Sequence, residues 1–354
     1  MAYFGPPAEA LTYFGQRDFA DLFLLLERER GTPWAQRFRA SPQYARYVER
    51  VGTPQRSSGT APAPAPAPRR QSGLAQFAIL CQRYLAVITA DRQYLAFMAG
   101  LPLVLTALMH ALPGTAGLSL VAQLSGKPGL PSSLLLVLVV GGALMGTNAS
   151  IRELVKEREI YRRERAIGMS RWAYLSSKLA VLSVITGLQA VALGLLGNAG
   201  RPAPDAPLLF PQPMVEIVVA ISALTVVSMV LGLMVSAAIS NEDRGMPLLV
   251  LLAMLQFMLS SALIQVPTVI GLAQLSWIVP ARWGFALGAS TMGIPSGPGV
   301  FSPYAEHDPL WDHATGTWLF DLAALGATGV AFVAVTALLL RRLEPRRRRR
   351  GTIR

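Results

Sequence analysis

The chain has 354 residues, only 15% of them charged, a mean hydropathy of +0.42 and a formal net charge of +12 at pH 7. A soluble domain carries about 25% charged residues, and the apolar residues here gather into runs of about 20, the length of a membrane-spanning helix. The composition therefore excludes a soluble globular protein and predicts an all-α integral membrane protein. Nucleic acid is not an expected partner, because no fold signature for binding it accompanies the positive charge.

The first 73 residues contain no membrane-spanning run. Residues 1–54 are polar and aromatic, and residues 55–73, QRSSGTAPAPAPAPRRQSG, predict an extended linker because alternating Ala and Pro cannot form a helix. From residue 74 apolar side chains recur every three or four positions, with Gln82, Arg83 and Asp91 between them. This spacing predicts an amphipathic helix along the inner membrane surface. A soluble helix packed on a core is the alternative.

Six transmembrane helices are predicted within a membrane domain at 74–345, and the fifth is the least regular. After the fifth helix, Pro267 and Pro280 interrupt the apolar run. This pattern predicts short helices that dip into the outer interface, with Trp277 and Trp283 at headgroup level. The predicted spans are Tyr94–Leu112, Ser132–Ser150, Trp172–Gly197, Met214–Ser240, Met246–Gln265 and Thr317–Leu340.

The positive charges lie mainly on one side of this predicted topology. Of the 32 Lys and Arg, only Lys127, Arg201 and Arg282 fall on the other side. The positive-inside rule therefore predicts a multi-pass protein of the plasma membrane with both termini in the cytoplasm. The basic tail at 346–354 is expected to lie against anionic membrane lipids.

The segment between the second and third spans is the most charged part of the membrane domain. Residues 157–178 read EREIYRRERAIGMSRWAYLSSK. Glu159 can pair with Arg162 and Arg163 on a helix, Gly168 is expected to end that helix, and Ser170 is expected to cap the next one. A charged helix at the foot of the bundle suits docking of a soluble partner. The alternative is that its charge only fixes the topology of the neighbouring spans.

This segment resembles the coupling-helix region of type-2 ABC exporters of the G subfamily. Residues 76–95 and 277–286 resemble the connecting helix and the outer segment of the same family. Residues 1–27 resemble the last strand and helix of its ATPase domain, so that 1–54 would be a remnant of that domain. The residues that carry the coupling-helix resemblance, and that it implies contact the ATPase, are Glu157, Arg158, Tyr161, Arg162, Arg163, Glu164 and Gly168.

The chain contains no recognisable nucleotide-binding motif. Its only Gly-Lys pair, Gly126-Lys127, lacks the earlier Gly and the following Ser or Thr of a P-loop. The resemblance thus implies a permease subunit that is not itself an enzyme and binds no cofactor, with ATP and magnesium on a partner ATPase. We expect that ATPase either on a separate polypeptide or lost through a truncated reading frame, which would leave a non-functional remnant.

The resemblance also implies a dimer, of two copies or of one copy with a relative, whose central cavity is lined by spans two and five. Each polar residue on these spans has interhelical hydrogen bonding as its alternative role. A neutral, mostly apolar cavity suits a lipid or amphipathic substrate. The residues that the resemblance places along the substrate pathway are Asn148, Gln256, Phe257, Ser260 and Ser261.

Other patterns within the spans predict packing rather than chemistry. Gly142 and Gly146 form a GxxxG motif that predicts close helix packing, as does the four-residue spacing of Ser228, Gly232, Ser236 and Ser240. Lys178, Glu216 and Asp321 lie near span ends, where snorkelling is expected. No chain of ionisable residues crosses the spans, which argues against a proton-coupled transporter.

The loop EHDPLWDH at 306–313 supports a rival prediction, a membrane-embedded lipid-modifying enzyme. His307 and His313 with three acidic residues could hold a metal ion, but their spacing matches no standard zinc site. We therefore predict a solvated loop without metal and no catalytic residues. Cys81, the single cysteine, is expected to be a small buried apolar side chain.

Overall fold

The protein is described from a computed structural model. The structure describes residues 2–29, 31–49, 71–127, 130–262, 271–294 and 308–343, and within them every regular element is helical. The all-α prediction is therefore confirmed. Residues 1–69 and 70–354 form two compact units, and each is described by itself. Residues 55–70 of the predicted linker and the whole basic tail lie outside the described residues.

The first unit is a small helical cluster around an aromatic core. The rings of Tyr3 and Tyr44 each lie 5.5 Å from the ring of Phe38, whose exposed fraction is 1%. The strand that the resemblance implied within residues 1–27 is not formed in the described part of the chain, because no neighbouring strand is there to accept its backbone hydrogen bonds. Its helices are α1 (Pro7–Phe14), α2 (Phe19–Arg28), α3 (Trp34–Arg39) and α4 (Pro42–Tyr44), followed by a π-helical turn, Ala45–Glu49.

The second unit is a helical bundle with short helices at both ends. Asp91 separates its first two long helices and caps the second through a hydrogen bond from the backbone N–H of Tyr94. The elements are α5 (Gly73–Ala90), α6 (Arg92–Ala111), α7 (Leu120–Leu124), α8 (Pro131–Ser150), α9 (Glu153–Lys156), α10 (Arg158–Ala166), α11 (Arg171–Gly197), α12 (Pro213–Ala238), α13 (Gly245–Met258), α14 (Leu272–Ser276), α15 (Pro280–Met292) and α16 (Thr315–Arg342).

Six segments of the described chain are long and apolar enough to cross a membrane, which confirms the multi-pass prediction. The six are not the predicted set. They include α5, which was predicted to lie on the membrane surface, and they omit the predicted fifth span. Four of the other five coincide with α6, α11, α12 and α16, and the fifth, Pro131–Lys156, combines α8 and α9.

The predicted fifth span is wrong in length. Helix α13 has 14 residues and ends at Met258. It is therefore only about 21 Å long, whereas the hydrocarbon core of a bilayer is roughly 30 Å thick. The Ser260 hydroxyl accepts a hydrogen bond from the N–H of Ala262, and Ser261 takes a left-handed conformation with φ 66°. A serine that bonds its own local backbone competes with the helix, which accounts for the early end. Residues 263–265 of the prediction lie outside the described residues.

Helix α12 is the centre of the bundle and contacts α8, α11, α15 and α16. The predicted close packing is confirmed, since a Cβ at Gly146 would overlap the carbonyl oxygen of Thr225 and a Cβ at Gly232 would overlap the hydroxyl of Ser150. Hydrogen bonds run across the same contact, with the Ser150 hydroxyl donating to the carbonyl of Met229 at 2.6 Å. Small residues therefore let the backbones of α8 and α12 approach each other directly.

Two predictions about surface residues are wrong. Trp283 is 1% exposed and packs in the core, where its indole N–H donates to the carbonyl of Trp277 at 2.9 Å. It therefore cannot sit among lipid headgroups, whereas Trp277 is 53% exposed. Lys178, Glu216 and Asp321 do not snorkel, because their exposed fractions are 2%, 0% and 0%.

Candidate functional site

The short helices α9 and α10, with the turn that follows them, form what we call the charged segment, residues 153–168. They lie at the end of the bundle that we call the charged end, and the carboxyl end of α12 holds them there. The backbone N–H groups of Leu154 and Val155 donate to the hydroxyl of Ser236 at 2.9 and 3.1 Å. The guanidinium of Arg158 donates to the carbonyls of Ala237 and Ile239. Ser236 thus satisfies backbone N–H groups at the start of α9, and Arg158 satisfies carbonyls that the end of α12 leaves without helical partners.

A buried charge cluster joins this segment to α11 and α5. The ammonium of Lys178 on α11 lies 2.8 Å from a Glu157 oxygen and 3.2 Å from a Glu153 oxygen. The hydroxyl of Tyr84 on α5 donates to Glu153 at 2.6 Å, and that of Tyr174 donates to Glu157 at 3.1 Å. We use the name buried charge cluster for these five residues.

The geometry of the cluster offsets the cost of burying its charges. The Lys178 side chain is 3% exposed, and it also lies 3.4 Å from the centre of the Tyr84 ring, a cation–π contact. Each carboxylate accepts a hydrogen bond from a tyrosine hydroxyl as well as one from the ammonium, so its oxygens have partners. Buried ion pairs are tolerated only with such additional hydrogen bonds, and the cluster therefore requires all of its members.

A second contact joins α10 to α5. Glu164 pairs with Arg83, and the N–H of Ser170 donates to the side-chain oxygen of Gln76 at 2.8 Å. The helix that was predicted to run along the membrane surface therefore packs against α11 and the charged segment. Three helices of the bundle, α5, α11 and α12, are bonded to this segment.

Most local predictions for the charged segment are confirmed. Arg162 pairs with Glu159 at 2.8 Å, whereas the pairing of Glu159 with Arg163 stays a prediction. Gly168 has φ 115°, a conformation that favours glycine, and the hydroxyl of Ser170 accepts the N–H of Ala173 as a helix cap.

The residues predicted to contact an ATPase separate into an inner and an outer group. Glu157 lies in the buried charge cluster, and Tyr161 is 1% exposed with its ring 4.8 Å from that of Tyr174. Burial, and next the charge of Arg162, lower the pKa of Arg158 from its ordinary value. Arg162, Arg163 and Gly168 are exposed, and Glu164 is half-buried.

Two isoleucines accompany the exposed arginines. Ile167 is 88% exposed and Ile160 is 42% exposed. Residues 160, 163 and 167 follow the spacing of one helix face, so these isoleucines flank Arg163. We call Ile160, Arg163 and Ile167 the coupling face.

The residues predicted to line a substrate pathway have different surroundings. Asn148 is half-buried. Gln256 is 2% exposed and bridges three helices, accepting from the Ser228 hydroxyl at 3.3 Å and donating to the Thr147 hydroxyl at 3.4 Å. This contact is the interhelical hydrogen bonding weighed as the alternative role. Phe257 is 36% exposed.

The two serines predicted to lie on span five instead follow it. Ser260 is fully buried, and its hydroxyl donates to the carbonyl of Phe257 at 2.9 Å. Ser261 is 3% exposed and accepts a hydrogen bond from Arg282 on α15. Both side chains have partners within the bundle, so in this arrangement neither faces an open cavity.

The loop at 306–313 is described only from Asp308 onward. His313 is exposed, and its ring nitrogen lies 2.8 Å from the carbonyl oxygen of Ser290. His307 lies outside the described residues. Among the residues that are described, no group of three or more His, Cys, Asp or Glu side chains could hold a metal ion.

Comparison with known proteins decides the family. The model of the ABC-2 type transporter family matches residues 75–292, from α5 through the charged segment to α15. The chain belongs to the ABC-2 type transporter family. It is also 34% identical over 335 residues to an ABC transporter ATP-binding/permease protein of Mycobacterium tuberculosis. That match covers 94% of this chain but only 37% of the relative.

Membership of the ABC-2 type transporter family makes the chain the membrane part of an ABC transporter and favours the transport prediction over the enzyme prediction. Sequence reasoning missed three residues of the contact between the charged segment and the bundle: Glu153, Tyr84 and Ser236. Glu153 precedes Glu157 by four positions and could have been found by that spacing. Tyr84 and Ser236 had no local signal, because their contacts span 69 and 82 residues along the chain.

Proposed function

We propose that this ABC-2 type transporter chain forms the translocation pathway of an ATP-driven exporter, as a homodimer or heterodimer, and that the charged segment transmits the closure of an ATPase to the spans. The observation that carries the proposal is that this segment has two different faces. One face is bonded to the bundle by the buried charge cluster, and the other is the exposed coupling face. A segment built in this way suits the transfer of force from a soluble partner.

The inner face makes the segment move as one body with the spans. Lys178 belongs to α11, Tyr84 to α5 and Ser236 to α12, and each is bonded to residues of 153–157. Displacing the segment alone would leave the ammonium of Lys178, whose side chain is 3% exposed, buried without its carboxylate partners, which costs several kcal/mol. Moving the three helices along with it avoids that cost.

The outer face has the composition of a protein interface. Ile167 exposes 88% of its surface, although burial of such a side chain is worth about 1.5–3 kcal/mol. Arginine and large apolar residues at the centre of a patch are typical of interface residues that dominate binding. We propose that an ABC ATPase domain covers this face.

The ATP and the magnesium are proposed to bind to that partner, whichever polypeptide encodes it. The Mycobacterium tuberculosis relative is described as ATP-binding as well as a permease, which supports the association of the two activities. Because ATP is held inside the cell, we propose that the coupling face and both termini lie on the cytoplasmic side of the plasma membrane. The distribution of Lys and Arg along the sequence supports the same orientation.

A lipid or amphipathic substrate is supported by the exposed face of α13. Val250, Met254 and Phe257 recur at helical spacing, and their exposed fractions are 55%, 62% and 36%. Met258 extends the same face. Flexible methionines with an aromatic ring adapt to apolar groups of varied shape, and the half-buried Asn148 adds a neutral polar group rather than a charge.

The test compares Ile167→Asp with Leu124→Asp. Leu124 is also an exposed apolar residue, at 70%, but lies on α7 at the opposite end of the bundle. Each variant is purified from native membranes and reconstituted in vesicles with a fluorescent phospholipid. We expect Ile167→Asp to weaken co-purification of an ATPase by about tenfold, as loss of a central interface residue does, and to abolish ATP-dependent lipid movement.

Leu124→Asp should retain both activities. Full ATPase association and lipid movement in Ile167→Asp, or an equal loss in Leu124→Asp, would contradict the docking proposal. Normal ATPase association without movement of the lipid in the unmodified protein would contradict the substrate class alone.

A further inference from the structure

Asp321 on α16 is buried without a hydrogen-bond donor. Its exposed fraction is 0%, and within the described residues neither carboxyl oxygen has a partner. An ionised carboxylate in such a place costs far more than a neutral one, since burial without a partner penalises the charged form. The carboxyl must therefore be neutral or be neutralised by something bound.

The nearest charges do not neutralise it. Arg282 on α15 is 5% exposed, but it donates to the Ser261 hydroxyl and, at 3.5 Å, to Asp308. Asp308 is itself 8% exposed. Asp308 and Arg282 both lie close enough to Asp321 for their charges to act on its carboxyl. With both aspartates ionised, this buried group of one cation and two anions would carry a net negative charge. Arg282 already donates to Ser261 and Asp308, so its positive charge does not fully compensate a second carboxylate. The two aspartates would also repel each other.

The other helices that contact α16 supply no further cation nearby. Glu216 on α12 is fully buried, and one of its oxygens accepts the N–H groups of Leu208, Leu209 and Phe210 at 2.7, 2.7 and 3.1 Å. It is an additional acidic group. The remaining titratable groups of α16 and of the described elements packed against it lie at the exposed start of α16 or at the charged end: Asp312, His313, Arg171, Tyr174, Lys178, Arg341 and Arg342.

A proton suits this site better than a metal ion. The described residues contain no group of three or more His, Cys, Asp or Glu side chains for a metal, and calcium or magnesium takes about six or more oxygen ligands. The guanidinium of Arg282 would also repel a cation. A proton needs no coordination shell and removes the excess negative charge.

We propose that Asp321 is a proton-binding site, occupied in the packed arrangement of α15 and α16 and emptied when that contact opens. On opening, the carboxyl gives its proton to water, and the resulting carboxylate is free to compete with Asp308 for Arg282. The site makes the packing of α15 against α16 depend on pH, at the part of the bundle opposite the charged end. It does not rest on the export function, because proton binding is measurable without ATP.

The test is difference infrared spectroscopy of the full chain in lipid nanodiscs, following the carbonyl band of protonated carboxyl groups as pH is raised. We expect a band at neutral pH that disappears in Asp321→Asn and persists in Asp308→Asn. Asp205→Asn serves as a control, since Asp205 is exposed and accepts two backbone N–H groups, at 2.8 and 3.0 Å. A band that survives Asp321→Asn, or that only Asp308→Asn removes, would overturn the proposal.

Thermal unfolding gives a second readout. A carboxyl that is neutral when packed and ionised when unfolded binds more protons in the native state, so stability falls as pH rises above about 4, the ordinary aspartate range. We expect the midpoint of the unmodified chain to drop by several degrees between mildly acidic and alkaline buffer, and that of Asp321→Asn to lose most of this slope. A midpoint that depends on sodium concentration instead of pH would overturn the proposal in favour of a metal cation.

Discussion

At the scale of single residues, Lys178 connects the charged segment to the spans. It is a lysine on an apolar helix whose ammonium is bonded to Glu153 and Glu157. From the sequence alone, the Lys178 side chain was predicted to reach the membrane surface and to keep its charge in water. The structure places it inside, because two carboxylates and the ring of Tyr84 replace the water.

Replacing Lys178 with Met tests this role. The substitution keeps the length of the side chain but leaves Glu153 and Glu157, whose side chains are only 16% and 20% exposed, without their cation, and we expect a loss of about 3 kcal/mol of stability. Thermal unfolding in nanodiscs measures it. Adding Glu153→Gln and Glu157→Gln to the same variant should restore most of the loss, and an equal loss in the single and triple variants would rule out an unpaired-charge penalty.

Local signals in the sequence were sufficient for part of this site. The positive φ of Gly168, the cap at Ser170 and the pair of Glu159 with Arg162 depend on residues within a few positions of each other. Which side of the charged segment faces the bundle could not be predicted in the same way. It depends on the contacts of residues 153–157 with Lys178, Tyr84 and Ser236, whose positions are set by the packing of other helices.

At the scale of elements, the contact between α8 and α12 depends on the absence of side chains. A Cβ at Gly146 would overlap the carbonyl of Thr225, which is backbone and cannot rotate away. The GxxxG pattern predicted this contact from sequence. The length of α13 was not predictable from hydropathy, because the end of that helix is set by the local backbone bonds of Ser260 and Ser261 rather than by a polar stretch.

Gly146→Ala and Gly187→Ala form a matched pair for this contact. Both glycines lie within long helices, but a Cβ at Gly187 would meet nothing within 4 Å. We expect Gly146→Ala to lose about 1–3 kcal/mol through overpacking. Gly187→Ala should instead be neutral or gain up to about 1 kcal/mol of helix propensity. Thermal unfolding of the two variants measures the difference, and equal midpoints would mean that α8 and α12 can separate at no cost.

At the scale of the whole molecule, the bundle has a clear polarity. The charged end carries the coupling face and is bonded to α5, α11 and α12. The opposite part holds the buried group of Arg282, Asp308 and Asp321. The all-α, multi-pass architecture followed from composition and periodicity, since apolar runs of spanning length leave few other folds. The arrangement of the helices around α12 did not, because it depends on which faces carry small residues and matching hydrogen bonds.

The central claim is that the coupling face contacts an ATPase, and site-specific photo-crosslinking tests it most directly. A photoreactive amino acid is placed at Arg163 or at Lys127, two exposed basic positions at the charged and the opposite end. We expect the Arg163 probe to capture an ATP-binding domain in native membranes, with a yield that changes when ATP is added, and the Lys127 probe not to capture it. Capture of only lipid at Arg163, or equal capture of the ATPase at Lys127, would contradict the account.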